Sequence, residues 1–231
     1  FGAIVGVIAL LIMLEPDLGT TMIIGTTSFI MYFIAKEGPD HAKLTFMSLL
    51  VLFIPLVIIA ALLEPYRIGR VSTYLHLLTT GEISDPRGDG YQMQQILIGI
   101  GSGGFLGKGF GQSRQRFGYL VENTAFTDSI FAVILEELGF LGGTILVVAW
   151  TIFLWRGFKI GLNAPDKQGK LLAIGITVWL TLQALLNMGA NVGLIPLTGI
   201  PAPFLSYGGS STIVTLAGIG ILLNISKHSK G

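Results

Sequence analysis

The chain reads as an all-α, polytopic membrane protein, and three observations predict this. Its residues are 52% hydrophobic and 12% charged, against about 25% charged in soluble domains. Mean hydropathy is +0.75. Its apolar runs approach the roughly 20 residues that a spanning helix requires. There is no cysteine, which excludes disulfides and thiolate metal sites. The net charge of +1 gives no basis for nucleic-acid binding.

The expected spans are Phe1–Leu14, Gly19–Ala35, Leu44–Leu63, Ile130–Trp155, Leu171–Leu186 and Thr212–Ile225, all in one membrane domain, 1–231. Phe1 opens inside an apolar run with no basic region before it, unlike a signal peptide. The first run therefore reads as truncated, with earlier membrane segments expected before it. Lys and Arg in short loops mark the cytoplasmic side. Lys36 and Lys43 share one loop, Arg156, Lys159, Lys167 and Lys170 another, and Lys227 and Lys230 lie in the tail. Alternating spans put all three on one side. The opposite, extracytoplasmic side then carries Glu15-Pro16-Asp17, the long segment 64–127, and 187–211.

Within the long segment, Pro65–Leu78 places Ile68, Val71, Leu75 and Leu78 at helical spacing, with Arg67 and Arg70 between them. This predicts an amphipathic helix lying at the interface. Residues 79–90 form a Gly, Asp and Pro loop. Tyr91–Ile100 is apolar, carries the pair Gln94 and Gln95, and fits a short re-entrant helix. The glycines that follow suit backbone at membrane depth, which survives only when buried or lining a cavity.

Polar motifs follow in the long segment and in the helix after it. Gly99-Ile-Gly101-Ser-Gly103-Gly104 matches G-x-G-x-x-G, but no strand precedes it, so a dinucleotide site is rejected. A wall of backbone N–H groups beside an anion and close packing through small residues remain open. Lys108, Arg114 and Arg116 follow and suit a phosphate or pyrophosphate; anionic lipid headgroups are the competing partner. Asp128 stands where a polar loop enters an apolar helix, as a cap, a base, or both. Glu136 and Glu137 lie about two turns further in, where acids face protein or water.

Elsewhere, Asp17 follows a proline break and can cap the next helix. The run Ile200–Ser211 has two stiffening prolines and the hydroxyls of Ser206, Ser210 and Ser211. A serine nucleophile or a histidine metal site is unsupported, since His76 alone falls on this face. The residues by themselves leave open an enzyme acting on a lipid-linked phosphate and a transporter of lipid-linked precursors. A non-catalytic membrane scaffold is a third reading.

The stretches EPDLGT, GYQMQQILIGIGSGGFLGKGFGQS, TDSIFAVILEELGF and NVGLIPLTGIPAPFLSYGGSS, in that order, resemble the SEDS family (shape, elongation, division and sporulation). The wording around GKGFGQS and QRFGYL is closer to FtsW-type members than to RodA-type ones. The resemblance implies about ten membrane helices, of which this chain would be the C-terminal part. It implies peptidoglycan glycosyltransfer: lipid II polymerised into glycan strands outside the bacterial cytoplasmic membrane, for division or elongation. Asp128 maps onto the family's essential aspartate. Lys108, Arg114, Arg116, Ser206 and Ser210 are expected to bind substrate or its pyrophosphate. Asp17, Glu122, Gln95 and Glu137 are expected in support. An undecaprenyl-pyrophosphate-linked glycan donor, a class B penicillin-binding protein as partner, and a divalent cation (magnesium or manganese) follow from the same resemblance. One stretch departs from the pattern. Where the family reads L-P-E-A-H-T-D, this chain has Leu120-Val-Glu-Asn-Thr-Ala-Phe-Thr-Asp128, lacking the Pro and the His and longer by two residues.

Overall fold

The computed structural model describes residues 2–14, 17–35, 65–85, 90–114 and 125–229. The expected span 44–63, the loop holding Lys36 and Lys43, and Arg116 and Glu122 lie outside them. All regular structure among the described residues is helical: α1 (Gly2–Leu14), α2 (Leu18–Ala35), α3 (Pro65–Thr80), α4 (Tyr91–Gly103), α5 (Ile130–Leu162), α6 (Lys167–Asn191) and α7 (Gly209–His228). Three of these, α5, α6 and α7, are long and apolar enough to cross a membrane.

Contacts divide the chain into two compact units. One comprises Phe1–Glu64, Phe153–Leu182 and Leu216–Gly231; the other comprises Pro65–Ile152 and Gln183–Thr215. In the first, α1 and α2 pack together. Asp17 caps α2, accepting from Thr20 N at 2.9 Å and from Thr20 Oγ1 at 2.6 Å. Such caps are worth about 1 kcal/mol. Thr177 of α6 packs where a Cβ on Gly157 of α5 would stand, 2.1 Å from its Oγ1.

The second unit holds every described candidate residue except Asp17. Its helix α3 runs over the expected stretch, and Ile68, Val71, Leu75 and Leu78 are all exposed. The opposite face is anchored. Arg70 Nη1 donates to Leu197 O at 2.8 Å, Tyr74 Oη donates to Leu194 O at 2.7 Å, and Thr73 is buried. The polar face of this helix thus packs on protein while its apolar stripe points outward, as an interfacial helix requires.

Helix α4 and the first part of α5 run side by side in the same direction. Gln92 meets Ser129, Ile96 packs with Ala132 and Val133, and Gly103 abuts Leu135. A helix covers the expected span from Ile130 but is kinked at Gly139, which has φ 65° and ψ −166°. A Cβ on Gly139 would lie 2.3 Å from Gly107 N, and one on Gly107 would lie 2.1 Å from Glu137 O. The break exists because the glycine loop of 104–114 packs backbone to backbone against it. Lys108 N donates to Glu136 O, Gly109 N to Glu137 O, Phe140 N to Gly104 O and Leu141 N to Phe105 O. Carbonyls and amides released by the kink are thereby satisfied by the loop, as apolar surroundings demand.

Candidate functional site

Two polar clusters form in the second unit, at opposite ends of the α4–α5 pair. The deeper one surrounds Glu136 and Glu137, whose side chains are buried. Glu136 Oε1 accepts from Lys108 Nζ at 2.8 Å and from Arg114 N at 3.2 Å, and Glu136 Oε2 accepts from Ser113 Oγ at 2.7 Å. Glu137 Oε1 accepts from Ser113 N at 3.3 Å. Charge-assisted bonds to a buried carboxylate are the strong ones, and several together offset its desolvation. Here the two acids fasten the glycine loop. Lys108, expected on a phosphate, pairs with Glu136 and keeps 29% of its side chain exposed. The side chain of Arg114 stays exposed.

The second cluster is built on Asp128. Its carboxylate touches neutral donors: Thr127 Oγ1 to Oδ1 at 3.1 Å and Gln92 Nε2 to Oδ2 at 3.5 Å. Gln92 also donates to Ser129 Oγ at 3.3 Å, and its Oε1 lies 3.5 Å from Arg70 Nη2. Among the described residues Asp128 forms no ion pair. Its main chain is held more tightly. Asn187 Nδ2 and Asn191 Nδ2 each donate to Asp128 O at 2.8 Å. Ser206 Oγ donates to Thr127 O, and Tyr207 N donates to Phe126 O at 2.7 Å.

Glu136 lies seven residues beyond Ser129, hence about 10 Å along the helix axis at 1.5 Å per residue. Lys108 and Asp128 are therefore not immediate neighbours. Ser206 reaches the Asp128 loop, but its hydroxyl is engaged within the protein, accepting from Ala202 N at 2.7 Å. Ser210 lies in the first turn of α7, beside a groove lined by Phe126, Ile130, Ser206, Tyr207 and Thr212. Gln95 is half-buried on α4, while the amide that reaches Asp128 is that of Gln92. Asp17 belongs to the other unit.

Sequence reasoning singled out neither Gln92 nor the two asparagines. Asn187 and Asn191 carry a signal, being polar residues one helical turn apart at the end of an apolar run. Arg70 was visible only as a residue between apolar positions. Phe204 holds φ 66°, rare for a non-glycine residue, and stacks on Trp150 with centroids 6.1 Å apart. Among the described residues no group of three or more His, Cys, Asp or Glu side chains converges as a metal site.

A family profile described as cell cycle protein, covering FtsW, RodA and SpoVE, matches residues 1–231. The chain belongs to the FtsW/RodA/SpoVE family. It is 45% identical to stage V sporulation protein E of Bacillus subtilis, over 96% of this chain and 57% of that protein. It is 40% identical to the probable peptidoglycan glycosyltransferase FtsW of Halothiobacillus neapolitanus, over 97% of this chain and 52% of that one. The chain thus spans little more than half the length of the curated relatives it matches. Among solved structures, a chain of a peptidoglycan synthase complex that coordinates polymerization and crosslinking matches with TM-score 0.71 and 29% identity. That match covers 97% of this chain and 61% of the other. RodA of Thermus thermophilus matches with TM-score 0.57 at 24% identity, over 99% of this chain and 57% of that one, a likeness of fold. The all-helical membrane architecture expected of the FtsW/RodA/SpoVE family is the one observed.

Proposed function

We propose that this chain carries the catalytic face of a peptidoglycan glycosyltransferase that polymerises lipid II at the outer side of the bacterial cytoplasmic membrane. One observation carries the reading. Asp128 is a partly exposed carboxylate with a fixed backbone, facing neutral donors and in no ion pair among the described residues. The acids at 136 and 137 are consumed by the glycine loop; Asp128 is held without being consumed. The named activity of the FtsW relatives supports the same reading.

In this mechanism Asp128 is the general base. It takes the proton from the 4-hydroxyl of the acceptor sugar on lipid II. That oxygen bonds to the anomeric carbon of the donor glycan, and the bond from that carbon to undecaprenyl pyrophosphate breaks with its electron pair. Gln92 and Thr127 orient the carboxylate. Lys108 holds the loop through Glu136 and thereby presents Arg114, whose exposed side chain would meet the developing negative charge with Arg116. Ser210, in the first turn of α7, would contribute to substrate binding. A divalent cation, magnesium or manganese, would be held chiefly by the substrate's phosphates with one or two carboxylates, and would supply charge neutralisation at the leaving group.

A class B penicillin-binding protein would crosslink the product, as coordination of polymerization and crosslinking in the related synthase complex supports. The test is polymerisation of purified lipid II by the full-length protein with its transpeptidase partner, wild type against Asp128→Ala. Polymer from wild type alone is expected. Equal polymer from both would overturn the role of Asp128. No polymer from either, with lipid II crossing liposome bilayers, would identify a transporter.

A further inference from the structure

We propose that Asn187 and Asn191 are positioning residues that hold Asp128 in front of its helix, a role that deepens the general-base reading and rests on it. Both side chains are 1% exposed. Asn187 Nδ2 donates to Asp128 O at 2.8 Å and to Ile200 O at 2.7 Å. Asn191 Nδ2 donates to Asp128 O at 2.8 Å and to Asn187 O at 2.9 Å. Each amide nitrogen thus has two carbonyl partners for its two hydrogens. Flipping either amide would set oxygen against oxygen, so the network fixes both orientations.

These bonds replace a helical one. In a helix begun one residue earlier, Asp128 O would accept from the N–H of Ala132. Instead Ala132 N and Val133 N both donate to Ser129 O, at 3.1 and 3.3 Å. The Asp128 carbonyl is left out of the helical ladder, and the asparagines complete it from α6. The neighbouring carbonyls are held as well, Thr127 O by Ser206 Oγ and Phe126 O by Tyr207 N. Three successive carbonyls are therefore tied to residues from 187 to 207, far along the sequence. With these carbonyls tied, Thr127 and Gln92 complete the placement of the carboxylate itself. A base misplaced by about 1 Å can lose about 100-fold in rate, so this anchorage belongs to catalysis as much as to folding.

The experiment compares wild type, Asn187→Ala, Asn191→Ala and the isosteric Asn191→Asp in the full-length protein with its partner. Steady-state polymerisation gives kcat and KM, thermal midpoints report folding, and hydrogen exchange is read across residues 126–133. The expected result is folded protein with a lowered midpoint, since buried carbonyls lose their donors, kcat lower by about 10–100-fold, KM near wild type, and faster exchange centred on 126–133. Wild-type kcat in all variants would overturn the proposal, as would unchanged exchange. Loss of folded protein in every variant, the isostere included, would also overturn it by making the pair structural only. The exchange measurement needs no activity. If wild type makes no polymer, the general-base reading fails, while exchange still decides whether the asparagines anchor the Asp128 loop.

Discussion

At the scale of single residues, the second unit uses its carboxylates in two opposed ways. Glu136 is saturated with donors and buried, so its negative charge is spent on holding Lys108, Ser113 and Arg114 N. Removing one member of a buried pair leaves an uncompensated charge, at a cost of about 3–5 kcal/mol when both partners are buried. Lys108 is 29% exposed, which lessens its share. Lys108→Met should therefore lower the thermal midpoint in detergent less than a variant that empties the Glu136 site. Lys108→Met together with Glu136→Gln should recover part of the loss; no recovery would show that the pair is not the point of attachment. Asp128, by contrast, faces an amide and a hydroxyl. Gln92→Leu removes one of those donors without touching the backbone anchors. It should cut kcat about 10-fold or more, in the range of a mis-set base, and leave the midpoint near wild type; an unchanged kcat would remove Gln92 from the site.

At the scale of elements, two features depend on how backbone meets backbone. Gly139 has φ 65°, and any Cβ there would collide with Gly107 N at 2.3 Å. Gly139→Ala should destabilise the protein by several kcal/mol, since steric overlap adds to a left-handed backbone cost of roughly 1–3 kcal/mol. Loss of a monodisperse peak in size-exclusion chromatography would record it, whereas a well-folded Ala variant would contradict the packing described. Helix α3 presents Ile68, Val71, Leu75 and Leu78 outward, opposite buried Thr73. A fluorophore on Leu75→Cys, in a chain that lacks cysteine, should be quenched by spin-labelled lipid more strongly than one on His76→Cys. Equal quenching would remove α3 from the membrane surface.

For the whole molecule, the loop charges and the helix spans make one topological prediction. The basic turn between α5 and α6 should be cytoplasmic, and the start of α7 should be outside. An impermeant maleimide should label Ser211→Cys on intact spheroplasts and Lys167→Cys only after lysis. The reverse pattern would invert the orientation, and with it the face proposed for Asp128.

Much of this was legible in the linear order of residues. Composition and apolar runs set the helical membrane class, because burying backbone in lipid leaves a helix few rivals. The period of Ile68, Val71, Leu75 and Leu78 marked α3, and the position of Asp128 at a polar–apolar junction marked the candidate base. Other facts required the fold. Glycine is tolerated within helices, so the break at Gly139 could not be told from a continuous span until the loop at Gly107 was seen against it. Basic side chains beside glycines suggest a phosphate site for Lys108, while its ion pair with Glu136 depends on what lies across a gap of 28 residues. Gln92 and Gln95 are alike as letters, and only packing shows which amide reaches Asp128. The asparagines act across 59 and 63 residues of sequence. Sequence determines which residues can donate, accept or carry charge, while the chain path decides which of them meet, because hydrogen bonds and ion pairs act over a few ångströms.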